Sequence, residues 1–135
     1  MTYQELVSTD DLALTVPSKL NENFRKQSFL NIAAKSATFE VWADDAAGSP
    51  KDLYLVTTGA STFDVDLPAI ASADAAAGRV VTIMKADSGV GRANIDPDGS
   101  ELINGSAASV GLTTQFHYRT LVSDGTTGWF VISSS

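Results

Sequence analysis

The sequence predicts a mainly β protein, with a short N-terminal arm and helix followed by an antiparallel β-sandwich or barrel-like domain. From residue 37 onward, apolar and polar residues alternate in short runs, and Gly, Pro, Asp and Asn separate those runs. The chain has 135 residues, a length typical of one domain. Its 44% hydrophobic and 19% charged residues indicate a soluble folded chain rather than a disordered or membrane-embedded one.

Charge and cysteine content argue against several functions. The net charge of −7 would repel a phosphate backbone, so we expect no nucleic-acid partner. The absence of Cys excludes thiol nucleophiles, thiolate zinc sites and disulfides. The first residues, Met1–Glu5, lack the basic and apolar stretches of a secretory signal, so we expect synthesis in the cytosol and no membrane partner.

Charge is distributed unevenly along the chain. Residues 16–35 contain four bases and one acid, a local +3, whereas residues 36–135 contain five bases and twelve acids, a local −7. We therefore divide the chain into an N-terminal arm and helix, 1–36, and a β domain, 37–135. The two parts are expected to face different surroundings.

The N-terminal part combines an extended arm with a helix. Leu12, Leu14 and Val16 alternate with Ala13 and Thr15, which is typical of an extended segment. Pro17 suits the first position of a helix, and no breaker follows before Gln27. Leu20 and Phe24 share one face of that helix, and Phe29, Ile32 and Ala33 form a second apolar face further on. The helix packs on its own domain or meets symmetry copies of itself.

Short apolar runs predict the strands of the β domain. The Ala-rich stretch 69–77 predicts a helical turn at a corner of the sheet. Asp87–Gly89, Asp96–Gly99 and Asn104–Gly105 are turn sequences. The predicted strands lie at 39–41, 53–56, 63–67, 79–85, 93–95, 102–103, 110–122 and 129–132.

The segment from Val110 to Val122 is the longest period-two series in the chain. It predicts one strand with Val110, Leu112 and Phe116 toward the core, and with His117 and other polar residues on the opposite face. We find no internal sequence repeat of useful length.

No catalytic, metal or cofactor motif stands out, so we expect neither an enzyme nor a cofactor. His117 is the only imidazole and lacks a Gly-x-Ser-x-Gly nucleophile motif. Asp96–Gly99 resembles a calcium loop, but its Gly is misplaced and a β-turn accounts for it better. Asp64 and Asp66 share one face of a strand, a geometry that glycoside hydrolysis uses and that the wet face of an amphipathic strand also produces.

Five aromatic residues fit either a core or a sugar-stacking platform: Trp42, Tyr54, Phe116, Tyr118 and Trp129. Core or subunit packing is the simpler interpretation. Alternate residues of a strand point to opposite faces, so Trp42 should point away from the side of Phe39 and Val41. We therefore expect its ring on an outer sheet face, as an interface residue.

Two parts of the sequence resemble virion proteins of tailed bacteriophages, especially tail fibres, spikes and small capsid appendages. In the first, Lys85-Ala86-Asp87-Ser88 is followed by Asp96-Pro97-Asp98-Gly99, Asn104-Gly105, Asp124-Gly125 and Trp129, within residues 53–132. The second is Leu20-Asn21-Glu22-Asn23-Phe24, which resembles the short Leu-Asn-x-Asn-Phe helix near the start of such proteins.

The resemblance implies a non-enzymatic virion component, usually a homotrimer, whose N-terminal part attaches to the particle and whose β domain faces outward. It is compatible with a head-decoration or head-fibre protein and with a short tail fibre, so the neighbouring partner is a capsid or tail protein. An alternative is a carbohydrate- or receptor-binding module that recognises a host surface glycan through its aromatic residues and the loops at 89–92 and 96–105. The expected attachment and interface residues are Leu12, Leu14, Val16, Lys19, Leu20, Phe24, Arg25, Lys26 and Trp42.

Overall fold

A computed structural model describes residues 30–45 and 50–135, which form ten β-strands and one 3₁₀ helix. In chain order, the strands are β1 (Ile32–Lys35), β2 (Phe39–Glu40), β3 (Leu53–Val56), β4 (Thr62–Asp66), β5 (Val80–Lys85), β6 (Arg92–Asp96), β7 (Leu102–Ile103), β8 (Val110–Leu112), β9 (Tyr118–Ser123) and β10 (Gly128–Ser134). The 3₁₀ helix, Ala73–Ala75, lies within the Ala-rich stretch that predicted a helical turn. The mainly β prediction is confirmed.

The chain coils so that successive turns, which we call rungs, each contribute one strand to each of two sheets. The six-stranded sheet has the order β1-β3-β5-β9-β10-β7, and the four-stranded sheet has the order β2-β4-β6-β8. The pairs β1-β2, β3-β4 and β5-β6 are three rungs, because each contributes one strand to each sheet and runs parallel to the rung before it. The result is a short two-sided solenoid.

The expected antiparallel sandwich is therefore corrected to a mixed arrangement. Antiparallel pairing occurs only after the third rung, where β9 pairs with β5, β8 with β6 and β10 with β9. The short strand β7 returns to a parallel pairing with β10. Corner segments of five or six residues join the strands of the second and third rungs and turn the chain from one sheet into the other, which is a solenoid connection rather than a hairpin.

The core lies between the two sheets. Alternate residues of the rung strands point into it, for example Val56, Val65 and Ile83, each of which is completely buried. Phe39 of the four-stranded sheet packs against Tyr54 of the six-stranded sheet, with 4.9 Å between the ring centroids. These inward side chains form one continuous apolar cluster.

Two glycines allow the corners of successive rungs to stack. A Cβ on Gly89 would lie 2.1 Å from the Gly59 carbonyl oxygen, and one on Gly91 would lie 2.0 Å from the Ser61 carbonyl oxygen. The Gly91 N–H donates to the Gly59 carbonyl over 2.8 Å. The motif Gly89-Val90-Gly91 therefore serves close backbone contact between rungs.

The third corner, residues 86–91, also contains an ion pair between a buried lysine and a partly exposed aspartate. Lys85 is 0% exposed, and its Nζ donates to the Asp87 carboxylate over 2.6 Å and to the Gly89 carbonyl over 2.9 Å. The Asp87 carboxylate accepts from the backbone N–H groups of Thr58 and Gly59, which belong to the second corner. One carboxylate thus connects the third rung to the second.

The predicted single strand at 110–122 is wrong. The structure divides it into β8 and β9, separated by a turn at residues 113–117. Phe116 lies in this turn with φ +66° and is 62% exposed, whereas we expected it in the core. Its N–H donates to the Lys85 carbonyl over 2.7 Å, so the turn is attached to the end of β5. The turn shifts the alternation of inward and outward residues by one position, so Leu121 rather than Val122 is buried in β9.

The predicted arm at Leu12–Val16 and the helix beginning at Pro17 lie outside the described residues. Ile32 and Ala33, which we placed on a helix face, are in strand β1 and pair with Leu53 and Tyr54. Strand β1 precedes residue 37 and belongs to the six-stranded sheet. Within residues 30–45 and 50–135, no helix is long and apolar enough to cross a bilayer.

Candidate interaction surface

The outer face of the six-stranded sheet carries no charged side chain. Residues that alternate with the buried ones point outward from β1, β3, β5, β9 and β10, and the strand register places them side by side. We call this set the uncharged face: Ile32, Ala34, Leu53, Leu55, Val80, Thr82, Met84, Tyr118, Thr120, Val122, Phe130 and Ser133.

Pairing between strands arranges these side chains in rows across the sheet. Val80, Val122 and Phe130 form one row. A second row contains Ala34, Leu55, Met84 and Tyr118. A third runs through Leu53, Thr82 and Thr120, where the two threonine hydroxyls are 2.9 Å apart. The four hydroxyl side chains of the face are bonded in pairs, Thr82 to Thr120 and Tyr118 to Ser133, the second pair over 3.1 Å.

Several members of the uncharged face are substantially accessible. Ile32 is 52% exposed, Phe130 44% and Val80 42%, and the central side chains are half-buried by their neighbours. Contiguous apolar surface on this scale is typical of a protein interaction site, since isolated exposed apolar residues are common but whole sheet faces are not. The arrangement is suited to packing against a second apolar surface.

The outer face of the four-stranded sheet is acidic. Glu40, Asp66 and Asp96 lie next to one another on three adjacent strands, and Asp64 lies one pleat away on β4. The Asn94 amide donates to Asp64 over 3.1 Å, and Arg92 donates to the Asn94 side chain. We call Glu40, Asp64, Asp66 and Asp96 the acidic row.

Crowding in the acidic row disfavours ionisation of two of its members. Partial burial raises the pKa of Asp66, and the neighbouring charges of Asp64 and Asp98 raise it further. Partial burial also raises the pKa of Asp96, with a contribution from Asp64 and Asp66. The two outer faces of the molecule therefore differ sharply: one is uncharged and apolar, and the other concentrates negative charge.

Trp42 is not on an outer face, so its expected role as an exposed interface residue is corrected. It is 3% exposed and adopts φ +66°, which turns the ring inward from the end of β2. Its Nε1–H donates to the Lys51 carbonyl over 2.7 Å, and its ring packs 6.0 Å from that of Trp129. The guanidinium of Arg79 lies 4.5 Å from the Trp42 ring centroid and covers it.

The other aromatic candidates do not form a common platform. Tyr54 and Trp129 are buried in the core, whereas Phe116 lies exposed in its turn and Tyr118 belongs to the uncharged face. The Tyr54 hydroxyl accepts a hydrogen bond from the backbone N–H of Trp42 over 2.8 Å, and burial raises the pKa of this hydroxyl. Core packing is therefore confirmed for Tyr54 and Trp129, whereas Trp42 is a core residue in place of the expected interface position.

The polar candidates are dispersed. His117 lies in the 113–117 turn and not on a strand, and its carbonyl accepts from the Lys85 N–H over 3.0 Å. Asp64 and Asp66 share one face of β4 as predicted. The turn predicted at Asp96–Gly99 lies two residues further on: Asp96 ends β6, the Glu101 N–H donates to the Asp98 carbonyl, and Gly99 has φ +52°. Within the described part of the chain, no group of three acidic or histidine side chains is arranged to hold a metal ion.

Apart from Trp42, the predicted attachment residues, Leu12 through Lys26, lie outside the described residues. A scan against protein-family models returns no match, and a search of curated proteins finds no significant relative.

The uncharged face was missed from the sequence although a signal was present. Leu53–Val56 are apolar on both sides of the strand, and Val80–Met84 are apolar on both sides apart from Thr82, which is typical of strands covered on both faces. Lys85 was also missed, because a lysine at the end of an apolar strand usually marks its exit into solvent.

Proposed function

We propose that the chain is a structural, non-enzymatic component of a tailed-bacteriophage virion, homotrimeric, with its N-terminal segment attached to the particle and its β domain outward. The uncharged face carries the proposal. A protein with a net charge of −7 that leaves most of one sheet face without charge has a surface on which copies can meet without repulsion.

The partner implied by this face is another copy of the chain. Contact through the acidic row would bring like charges together, which is unfavourable, whereas contact through the uncharged face buries apolar area and keeps the acidic rows apart. The number three and the virion location rest on the resemblance of the two sequence segments to phage fibre and appendage proteins. A head-decoration or head-fibre position and a short tail-fibre position both agree with it.

Light scattering coupled to size exclusion tests the self-association. The full chain has a mass of 14.2 kDa, and we expect a particle of about three chains. Thr82→Lys places a charge at the centre of the uncharged face and should yield a monomer, because a buried unpaired charge disfavours association. Thr62→Lys, the same substitution on the outer face of the four-stranded sheet, is the matched control and should leave the mass unchanged.

A monomeric wild-type chain would overturn self-association, and a trimeric Thr82→Lys variant would place the contact elsewhere. Melting temperatures of both variants show whether each is folded. The attachment role is tested with the full chain carrying Lys19→Glu, Arg25→Glu and Lys26→Glu. Unchanged binding of this triple variant to virus particles would refute attachment through the basic segment.

A further inference from the structure

A small cleft lies where β7 meets β10. Its volume is about 190 Å³, and its lining includes Leu102, Thr127, Gly128, Phe130 and the Asn104–Gly105 turn. Gly128 is buried and forms part of the floor, whereas Asn104, Thr127 and Phe130 are exposed and form the rim. The cleft is smaller than the roughly 300–1,000 Å³ of sites for drug-sized ligands, so any occupant is one ring or one side chain.

The rim combines an aromatic ring with a fixed amide. Phe130 is 44% exposed and offers an apolar surface. Asn104 has φ +51°, and its N–H donates to the Trp129 carbonyl over 2.9 Å. Its side-chain oxygen accepts from the Val131 N–H over 2.9 Å, which fixes the orientation of the amide.

This orientation leaves hydrogen-bond donors available beside the cleft. Within the described residues, the Asn104 Nδ2 group donates to no protein atom, and the Gly105 N–H also lacks a protein acceptor. A ligand with hydroxyl groups along one edge would supply acceptors for these donors. Its apolar surface would lie against Phe130.

The charge around the cleft selects against anions. No Lys, Arg or His lines it. Next to Thr127, the Asp124 carboxylate accepts from the Thr126, Thr127 and Gly128 N–H groups, and the hydrogen bond from the Thr127 hydroxyl is the main reason that its pKa lies well below the usual range. The ionised carboxylate would repel a carboxylate or sulfate on a ligand.

We infer that the cleft between the Asn104–Gly105 turn and Phe130 binds one neutral pyranose ring, with the apolar face of the sugar on Phe130 and its hydroxyl groups on the Asn104 amide. The site adjoins the uncharged face and shares Phe130 with it, whereas Asn104, Gly105 and Thr127 lie outside that face. Phe130 is on β10, two strands away from Thr82 at the centre of the face. With one aromatic ring and few hydrogen bonds, the expected dissociation constant is about 1 mM.

The test is titration of the isotope-labelled full chain with neutral monosaccharides, followed by the amide NMR signals. We expect shifts at Asn104, Gly105 and Gly128. Asn104→Asp keeps the side-chain acceptor and tolerates the positive φ but removes the donors, so affinity should fall about tenfold at an unchanged melting temperature. Phe130→Ala should weaken binding similarly. Phe116→Ala removes an exposed aromatic ring elsewhere and is the control that retains wild-type affinity.

Three outcomes would overturn the inference. One is the absence of shifts at these amides at sugar concentrations about tenfold above 1 mM. Another is wild-type affinity in Asn104→Asp. The third is equal binding of sialic acid or of apolar alcohols that lack a sugar ring, which would identify a nonspecific apolar cleft. Asn104 lies outside the uncharged face, so Asn104→Asp should keep the wild-type oligomeric mass and tests sugar binding independently of self-association.

Discussion

Among residues 30–45 and 50–135, Lys85 is the one charged side chain that is completely buried. The desolvation of its ammonium group is offset by three acceptors, two from Asp87 and one from Gly89. Asp87 in turn satisfies the N–H groups of Thr58 and Gly59. Loss of this carboxylate would leave Lys85 without an opposite charge and two N–H groups of the neighbouring corner without an acceptor.

Asp87→Ala is therefore expected to lower the melting temperature by about 10 °C, because it leaves the completely buried ammonium group of Lys85 without an opposite charge. Asp98→Ala, which changes an exposed turn residue, is the control and should have little effect. Differential scanning calorimetry measures both. Equal melting temperatures for the two variants would show that the corner does not depend on the ion pair.

The same ion pair gives a pH dependence. The hydrogen bond from Lys85 holds the pKa of Asp87 well below its ordinary value of 3.8. A carboxyl group with a lower pKa in the folded state stabilises the fold above the unfolded-state pKa, and this contribution is lost as pH falls below about 4. Wild-type stability should therefore decrease in that range, and the decrease should be smaller in Asp87→Ala.

Trp129 and Phe116 are both aromatic, but their surroundings are opposite. Trp129 is 0% exposed, so Trp129→Ala should destabilise the fold by about 3–5 kcal/mol. Phe116 is 62% exposed, so Phe116→Ala should cost less than about 1 kcal/mol. Urea unfolding followed by circular dichroism measures both values. A large loss in Phe116→Ala would mean that the ring is covered in the native assembly.

At the scale of elements, the acidic row is a source of instability in the four-stranded sheet. Asp66 and Asp96 are neighbours in register on β4 and β6. A pKa that is higher in the folded than in the unfolded state favours the fold at low pH, and this stabilisation is lost as pH rises. As pH rises and both groups ionise, two negative charges lie next to each other on adjacent strands and repel.

Asp66→Asn should therefore stabilise the protein at pH 7 by about 0.2–1 kcal/mol, the range for a like-charge pair across strands. The gain should diminish as pH falls toward the ordinary carboxyl pKa of 3.8, because the raised pKa of Asp66 means that the folded wild-type group is protonated before that value is reached. Asp74→Asn, exposed in the 3₁₀ helix, should show no gain. Unfolding curves recorded at pH 7 and at about pH 4 measure the free energy of unfolding of the wild type and of both variants. Destabilisation at pH 7 would mean that Asp66 holds a bound cation or another partner.

Strand positions were well predicted, whereas strand connectivity was not. Leu53–Val56, Phe63–Val65, Val80–Lys85 and Leu102–Ile103 were recognised because apolar periodicity and flanking turn residues are local signals. Parallel pairing between rungs depends on residues 21 to 30 positions apart, as in Ile32 with Leu53 and Thr62 with Arg92, and no local pattern reports it. The second and third rungs share little beyond alternation, so the structural repeat has no clear sequence counterpart.

The candidate surface was predicted even less well, for the same reason. Trp42 and Phe116 both have positive φ, which period-two counting does not anticipate in bulky residues, and each therefore lies on the side opposite to the one expected. The uncharged face becomes visible only when the pairing order places five strands next to one another. The cleft at Phe130 likewise requires the β7-β10 contact.

At the scale of the whole molecule, self-association should strengthen with salt. If copies meet through the uncharged face, the remaining interaction between chains of net charge −7 is repulsion. Raising the ionic strength from 0.01 to 0.15 M shortens the screening length from about 30 to about 8 Å, which weakens this repulsion. Sedimentation equilibrium should show a lower dissociation constant at the higher salt. Weaker association with salt would point to pairing of opposite charges, such as the basic N-terminal segment with the acidic row.

The strand pairing also limits where a further rung could be added to the stack. Antiparallel strands β8 and β9 occupy the side of the third rung that a fourth parallel rung would need. On the opposite side, β1 and β2 are the edge strands of the two sheets within the described residues. Within the described residues, a further parallel rung therefore fits before β1 and β2 or between existing rungs, but not beyond β5 and β6. A duplicated unit of 29 residues, the offset between Leu53 and Thr82, would raise the molecule by one strand spacing of about 4.8 Å and leave the C-terminal cap and its cleft unchanged.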